Sequence, residues 1–181
     1  MNNALLVIDI QDSFRKSAAR WSQRSNPHFE KNVTTLIRTY REASLPIYFI
    51  LHNDSDPGFR PGDPEVRLME FVDRRDGDPL LVKTTRNAFT STDLQQRLEA
   101  KGVKRLAICG ISTEQCCETT ARVAADLGYE VDFVTEATAT FPIGALSTDA
   151  IVERTEAVLR DRFARIVRVE ELQEELLACA R

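Results

Sequence analysis

Short, mostly apolar runs alternate along the chain with longer stretches of mixed polarity. Residues 4–8 form the first run, and 47–51, 80–82, 105–109, 131–134 and 165–169 form five more. Runs this short and this apolar predict strands buried on both faces. Between them, residues 29–43 place Val33, Leu36, Ile37 and Tyr40 on one helical face, and Pro46 closes the segment. Residues 92–95 and 112–115 carry capping-box patterns and predict helices that stop near Gly102 and Gly128. A further helix is expected over 145–161, and a short one closes the chain. The stretch 53–79 is rich in Asp, Pro and Gly and predicts a loop, interrupted by a short helix over 65–72. Strands alternating with helices imply right-handed crossovers, hence an α/β fold of three layers, α/β/α. The expected sheet is six-stranded, mostly parallel and Rossmann-like. No repeat, low-complexity stretch or linker divides residues 1–181, which read as one domain.

Composition narrows the function classes. The hydrophobic content of 43% is enough for a sizeable core. The net charge is −4 with both signs interspersed, unlike a nucleic-acid or membrane-surface protein. No apolar stretch approaches a membrane span, and the first residues lack the basic region of a secretory signal. The four cysteines, Cys109, Cys116, Cys117 and Cys179, suggest neither a disulfide framework nor a CxxC metal or redox pair. A reduced, cytoplasmic setting and a small-molecule substrate are therefore expected, with neither nucleic acid nor membrane as partner.

In sheets of this type ligands sit beyond the carboxyl ends of the strands, at the switch point. Three reactive side chains fall there: Asp9 after the first strand, Lys83 after the third, and Cys116 in the first helical turn after the fourth. Each has a structural alternative, namely a turn cap for Asp9, a solvated cation for Lys83 and a small packed residue for Cys116. The helix end distinguishes Cys116, because unpaired N–H groups and the dipole favour thiolate there, and a nearby Lys would add to this. The same N–H groups could hold an oxyanion, and a carboxylate could move the thiol proton. Cys117, Ala121, Ala124 and Gly128 form a small-residue face suited to packing on a sheet. Cys109 reads as core, and Cys179 as core or interface.

The segment Leu5-Leu6-Val7-Ile8-Asp9-Ile10-Gln11-Asp12-Ser13-Phe14 resembles the opening of the isochorismatase-like cysteine hydrolases. So do Val82-Lys83 followed by Asn87-Ala88-Phe89, and Cys109-Gly110-Ile111-Ser112-Thr113-Glu114-Gln115-Cys116 continuing to Thr120-Ala121 and Gly128-Tyr129. The resemblance implies a six-stranded, mostly parallel sheet. It makes Asp9 the base, Lys83 the catalytic lysine and Cys116 the nucleophile, with oxyanion contacts from the backbone of Ser112 and Cys116. It also implies a non-proline cis peptide between Ile111 and Ser112. Phe14, His52, Phe89 and Ile111 are assigned to the substrate pocket. Nicotinamidases of this superfamily carry an Asp-x-His metal element after strand two, where this chain has His52-Asn53-Asp54. Neither a metal, nor another cofactor, nor nicotinamidase activity is therefore expected.

The leading expectation is hydrolysis of a small amide or ureido-type C–N bond through a thioester. Isochorismatase-type ether hydrolysis and a non-catalytic ligand-binding module on the same fold are the alternatives. A dinucleotide oxidoreductase is disfavoured because no GxGxxG follows the first strand. Arg60, Arg67, Arg74 and Arg75 could meet a substrate carboxylate or simply be solvated. A homo-oligomer is expected from the family's habit and from Trp21, Phe29, Phe59 and Phe71. These aromatics lie in or beside loop-like segments and would face a second subunit, line the pocket or fold back on the core.

Overall fold

The computed structural model describes residues 2–179. Six strands, β1 Asn3–Ile8, β2 Ile47–His52, β3 Leu80–Lys83, β4 Arg105–Ile111, β5 Glu130–Ala139 and β6 Arg165–Ile166, form one sheet in the order β3-β2-β1-β4-β5-β6. Every neighbouring pair is parallel. The helices are α1 Ala18–Trp21, α2 Phe29–Glu42, α3 Leu94–Ala100, α4 Glu118–Asp126, α5 Thr148–Leu159 and α6 Val169–Cys179.

The period of two within β1 builds both interfaces of the sheet. Leu5 and Val7 face a core shared with Phe29, Val33, Leu36, Ile37 and Tyr40 of α2 and with Leu172 and Leu176 of α6. Leu6 and Ile8 face the opposite core, with Leu94 and Leu98 of α3, Ala121 and Ala124 of α4, and Leu159 of α5. These two cores make the three expected layers. Strand order reverses between β1 and β4, which places the crevice of the switch point between Asp9 and the turn after β4.

Local chemistry departs from the sequence reading where tertiary contacts outweigh it. Residues 65–72 form turns rather than a helix, because their backbone pairs with the segment after β1. Asp12 N–H donates to Arg67 O, and Met69 N–H donates to Ile10 O. Neither capping box forms. Thr92 Oγ1 accepts from Leu94 N–H but donates to the Ala88 carbonyl, and α3 starts at Leu94. After β4, Ser112 stays extended, and its carbonyl, not its hydroxyl, receives the N–H groups of Gln115 and Cys117. The turn Thr113–Cys117 is thus a wide π turn leading into α4. Strand β6 is only two residues long, and α5 opens at Thr148, with Ser147 Oγ capping Ala150 N–H. The 3₁₀ turn Asp12–Arg15 and α1 were not expected.

Strand β5 is longer than its apolar run and changes register part-way. Ile108 pairs with Phe133, yet Gly110 pairs with Thr138, so β5 carries extra residues between the two pairings. Side chains occupy the carbonyls this frees. Asn26 Nδ2 donates to Thr135 O (2.9 Å) and Thr138 O (2.6 Å), and Asn32 Nδ2 donates to Glu136 O (2.7 Å).

The aromatics of the loop segments pack within the chain. Phe29 is fully buried, Trp21 and Phe71 lie against it, and Phe59 meets Phe14 at 5.1 Å between ring centres. Phe29 therefore folds back on the core, whereas Trp21, Phe59 and Phe71 stay partly exposed.

Beside Asp9 the two central strands approach closely. A Cβ on Gly110 would lie 2.0 Å from Ile8 O, and Gly110 has φ +138°, a conformation other residues rarely adopt. Gly110→Ala is expected to lower stability by about 3 kcal/mol or more, combining backbone strain with overpacking. Urea unfolding followed by circular dichroism measures it, and a loss below about 1 kcal/mol would contradict this packing argument.

Candidate active site

Each candidate side chain is carried to the crevice by the end of a parallel strand. Asp9 follows β1 with φ +52°, in the left-handed region that Asp tolerates better than most residues. Its N–H donates to Ile50 O, and its carbonyl accepts from Gln11 N–H, so the chain turns sharply out of the sheet. Lys83 ends β3, two strands away, and its side chain crosses the end of β2 to reach Asp9. Cys116 stands in the π turn after β4. The peptide between Ile111 and Ser112, which leads into this turn, is cis. Two hydroxyls hold the turn from the other side: Thr138 of β5 pairs with Thr113 at 2.8 Å, and Thr140, just past the strand, donates from Oγ1 to Glu114 Oε2 at 2.5 Å.

The three side chains meet at the Lys83 ammonium. Nζ lies 2.7 Å from Asp9 Oδ2 and donates to Cys116 Sγ at 3.3 Å. A third neighbour, His52 Nδ1, is 3.2 Å away. Asp9 and Lys83 are fully buried, and Cys116 is 4% exposed. The Asp9 contact is an ion pair by distance but poorly directed for a hydrogen bond, and Oδ1 meets no protein donor.

Burial governs the protonation of the group. It raises the Asp9 carboxyl above its ordinary value, against the downward pull of Lys83. It also pushes the Cys116 thiol up to about 12; the Asp9 carboxylate adds to the rise and Lys83 opposes it. Burial thus works against the thiolate that the helix end is expected to favour. Desolvation in a nearly sealed position exceeds the combined effect of the turn and the lysine. Cys109 and Cys117, both fully buried, are shifted upward as well, chiefly by burial. They pack as small core residues. The side chain of Cys179 lies outside the described residues.

Around this centre the structure adds residues that the sequence did not single out. Gln11 bridges β1 to β2: its Oε1 accepts from His52 N–H at 2.7 Å and its Nε2 donates to His52 O at 3.1 Å. Its place in the motif after Asp9 was visible, but its partner was not. His52 Nε2 lies 3.1 Å from Asp54 Oδ2 and 2.6 Å from Arg86 Nη1. Burial first and Lys83 second lower the His52 pKa. The Asp54 carboxyl is held below its ordinary value despite partial burial, by the Asp56 N–H and by His52.

The remaining candidates separate. Phe14 lies between Phe59 and Phe141 at the carboxyl edge. Ile111 is buried in the α2–α6 core. Phe89 is buried in the opposite core, stacked on Tyr129 at 6.0 Å, and shares no aromatic cluster with Phe14. Three of the loop arginines brace their own loop, Arg60 on Ser55 O, Arg74 on Asp78 O and Arg75 on Asp73, while Arg67 ties it to Asp12 in the turn after β1. Among the described residues no group of three or more His, Cys, Asp or Glu side chains is arranged to hold a metal ion. No described helix is long and apolar enough to cross a membrane.

A buried carboxylate, ammonium and thiol at the switch point of an all-parallel sheet define a class of hydrolase fold, and the comparisons give the family. The chain belongs to the isochorismatase family, whose domain matches residues 3–171. It is similar to Nicotinamidase 3 of Arabidopsis thaliana, with 34% identity covering 96% of this chain and 88% of that one. Streptothricin hydrolase of Streptomyces noursei is 33% identical over 78% of this chain and 51% of its own length. A crystal structure of an isochorismatase-family hydrolase from Chromobacterium violaceum superposes with a TM-score of 0.90, at 28% identity over 98% of this chain and 94% of that one. The protein is a hydrolase of this family.

The ion pair makes a testable demand on stability. Removing the ammonium with Lys83→Met leaves Asp9 buried and unpaired, at an expected cost of about 3–5 kcal/mol at neutral pH. The Asp9 pKa, already raised by burial, then loses the opposing pull of Lys83 and stands further above its ordinary 3.8. A group with a raised folded pKa contributes fully below its unfolded pKa and loses that contribution as pH rises. The Lys83→Met deficit should therefore be smallest near about pH 4 and grow toward pH 8. Thermal unfolding midpoints across that range, set against the unaltered protein, check the sign.

Proposed function

We propose that the protein hydrolyses a small amide or ureido-type C–N bond, with Cys116 as nucleophile, Asp9 as base and acid, and Lys83 as electrostatic partner of both. The observation that carries this reading is the single ammonium in contact with the carboxylate and the sulfur together. Proton transfer from Cys116 to Asp9 moves one negative charge from oxygen to sulfur within reach of the same cation, so the total charge of the site is unchanged. A carboxylate whose pKa is raised by burial is a stronger base than an exposed one, which suits it to taking a thiol proton.

In the proposed reaction the Cys116 thiol gives its proton to Asp9 as sulfur adds to the substrate carbonyl carbon. The oxyanion is met by backbone N–H groups of Ser112 and Cys116. The N–H groups of Gln115 and Cys117 are already engaged by the Ser112 carbonyl. The tetrahedral adduct collapses, the C–N bond breaks, and Asp9 returns its proton to the leaving nitrogen. Water then adds to the thioester, with Asp9 taking its proton; the carboxylic product leaves and the thiol is restored. The 4% exposure of Cys116 suits a small substrate, bordered by Phe14 at the carboxyl edge. The likeness to a nicotinamidase, by its name an amide hydrolase, supports the C–N assignment over ether cleavage.

A panel of small primary amides and ureido compounds, assayed for released ammonia, tests this reading. Activity should appear on at least one member and fall by about 10³-fold or more in Cys116→Ala, with a Cys116-bound acyl group detected by mass spectrometry. Undiminished turnover by Cys116→Ala would defeat the mechanism.

A further inference from the structure

His52 ends β2, the strand that Lys83 must cross on its way from β3 to Asp9. We propose that His52 is a positioning residue, held by Asp54 in the tautomer whose bare Nδ1 takes one N–H of Lys83 and so aims the ammonium at Cys116. The inference rests on Cys116 being the nucleophile.

The Lys83 ammonium has three N–H groups and, being fully buried, has acceptors only from the protein. Asp9 Oδ2, His52 Nδ1 and Cys116 Sγ stand 2.7, 3.2 and 3.3 Å away. A neutral imidazole offers one donor and one acceptor, and burial and Lys83 both keep His52 neutral. With the proton on Nε2, that nitrogen donates to Asp54 at 3.1 Å, and the Nδ1 lone pair faces Lys83. With the proton on Nδ1, an N–H points at an ammonium, and Nε2 accepts from Arg86 at 2.6 Å. The two arrangements exclude each other, and burial decides between them. Arg86 is 53% exposed, and solvent can replace its contact, whereas no water competes for a fully buried Lys83. Gln11 holds the His52 backbone from both its N–H and its carbonyl, so the ring has a fixed origin. The charged groups facing this pair are Asp9 from the end of β1, Asp54 from the loop after β2, and Arg86 from the loop after β3.

The test is the rate of iodoacetamide alkylation at Cys116, followed by peptide mass spectrometry across about pH 6 to 10, which needs no substrate. In His52→Ala the ammonium loses one tether, and the Cys116 profile should move up by about one pH unit, a tenfold slower reaction at any given pH. His52→Asn, whose amide oxygen sits near the Nδ1 position, should recover to within about threefold of the unaltered protein. Asp54→Ala should follow His52→Ala, while Arg86→Met, which removes the competing donor, should react no more slowly than the unaltered protein. Thermal unfolding of each variant separates these effects from misfolding, and His52→Asn and the more exposed sites keep the test open should His52→Ala fail to fold. Unchanged alkylation in both His52→Ala and Asp54→Ala would overturn the positioning role. So would slowing by Arg86→Met alone, which would assign the tautomer to Arg86. Cys116 left unlabelled in the unaltered protein while Cys117 reacts would instead overturn the nucleophile assignment, and the inference with it.

Discussion

A buried cation is the constraint on which the site depends. Removing an ammonium from water costs several kcal/mol even after the protein relaxes, and only well-placed acceptors offset it. The acceptors of Lys83 come from three separate strand ends: Asp9 from β1, His52 from β2 and Cys116 from the turn after β4. None of them is its sequence neighbour, so the cation is satisfied only when the parallel register is correct. The Gln11 bridge between β1 and β2 and the absent side chain of Gly110 between β1 and β4 set the strand ends at the spacing this needs. Replacing the whole buried pair, Lys83 together with Asp9, by close-packed apolar side chains would be as stable or more so in principle. The arrangement is therefore understood through its chemistry rather than through its contribution to folding.

The same low-polarity surroundings act on both partners of the proton transfer. Burial raises the Asp9 carboxyl and the Cys116 thiol together, and the lysine pulls both down. What matters for the proposed reaction is the difference between them, which a shared environment leaves smaller than the separate shifts suggest. A sealed thiol is also a guarded one, since it becomes a strong nucleophile only as its proton leaves for a neighbour already in place.

Much of this could be read along the chain. The apolar runs located the strands, and asking which reactive side chain follows each strand selected Asp9, Lys83 and Cys116. Other features depend on long-range partners that no local pattern encodes. Gln11 reads as one polar residue in a motif, and its role exists only because β2 lies beside it. The change of register in β5 is invisible because its apolar run ends at Val134, while the strand resumes on Thr138 and Ala139. The capping pattern at Ser112 misled because its hydroxyl makes no cap bond and the first turn is a wide π turn, closed by Cys117 N–H on the Ser112 carbonyl. The opposing effect of burial on the thiol is hidden for a related reason: helix-end effects are legible in sequence, whereas the depth of burial is a property of the assembled layers. Trp21 and Phe29 looked unpartnered because their partners, Phe141 and Phe71, lie far along the chain.

The side chain that spans the register change in β5 has a chemical vulnerability of its own kind. Asn26 donates both of its Nδ2 bonds to strand carbonyls, one of them Thr138 O, and Thr138 holds the turn that carries Cys116. Deamidation to Asp would exchange a donor for a carboxylate facing two carbonyl oxygens, loosening the strand under the nucleophile's turn. The ordinary route to that damage is cyclisation, in which the next residue's backbone nitrogen attacks the side-chain carbonyl and loses its hydrogen. The next residue here is Pro27, whose ring nitrogen has no hydrogen to lose. The clamp is therefore closed to succinimide formation by its own neighbour, and the turn beneath Cys116 is shielded from this form of chemical ageing.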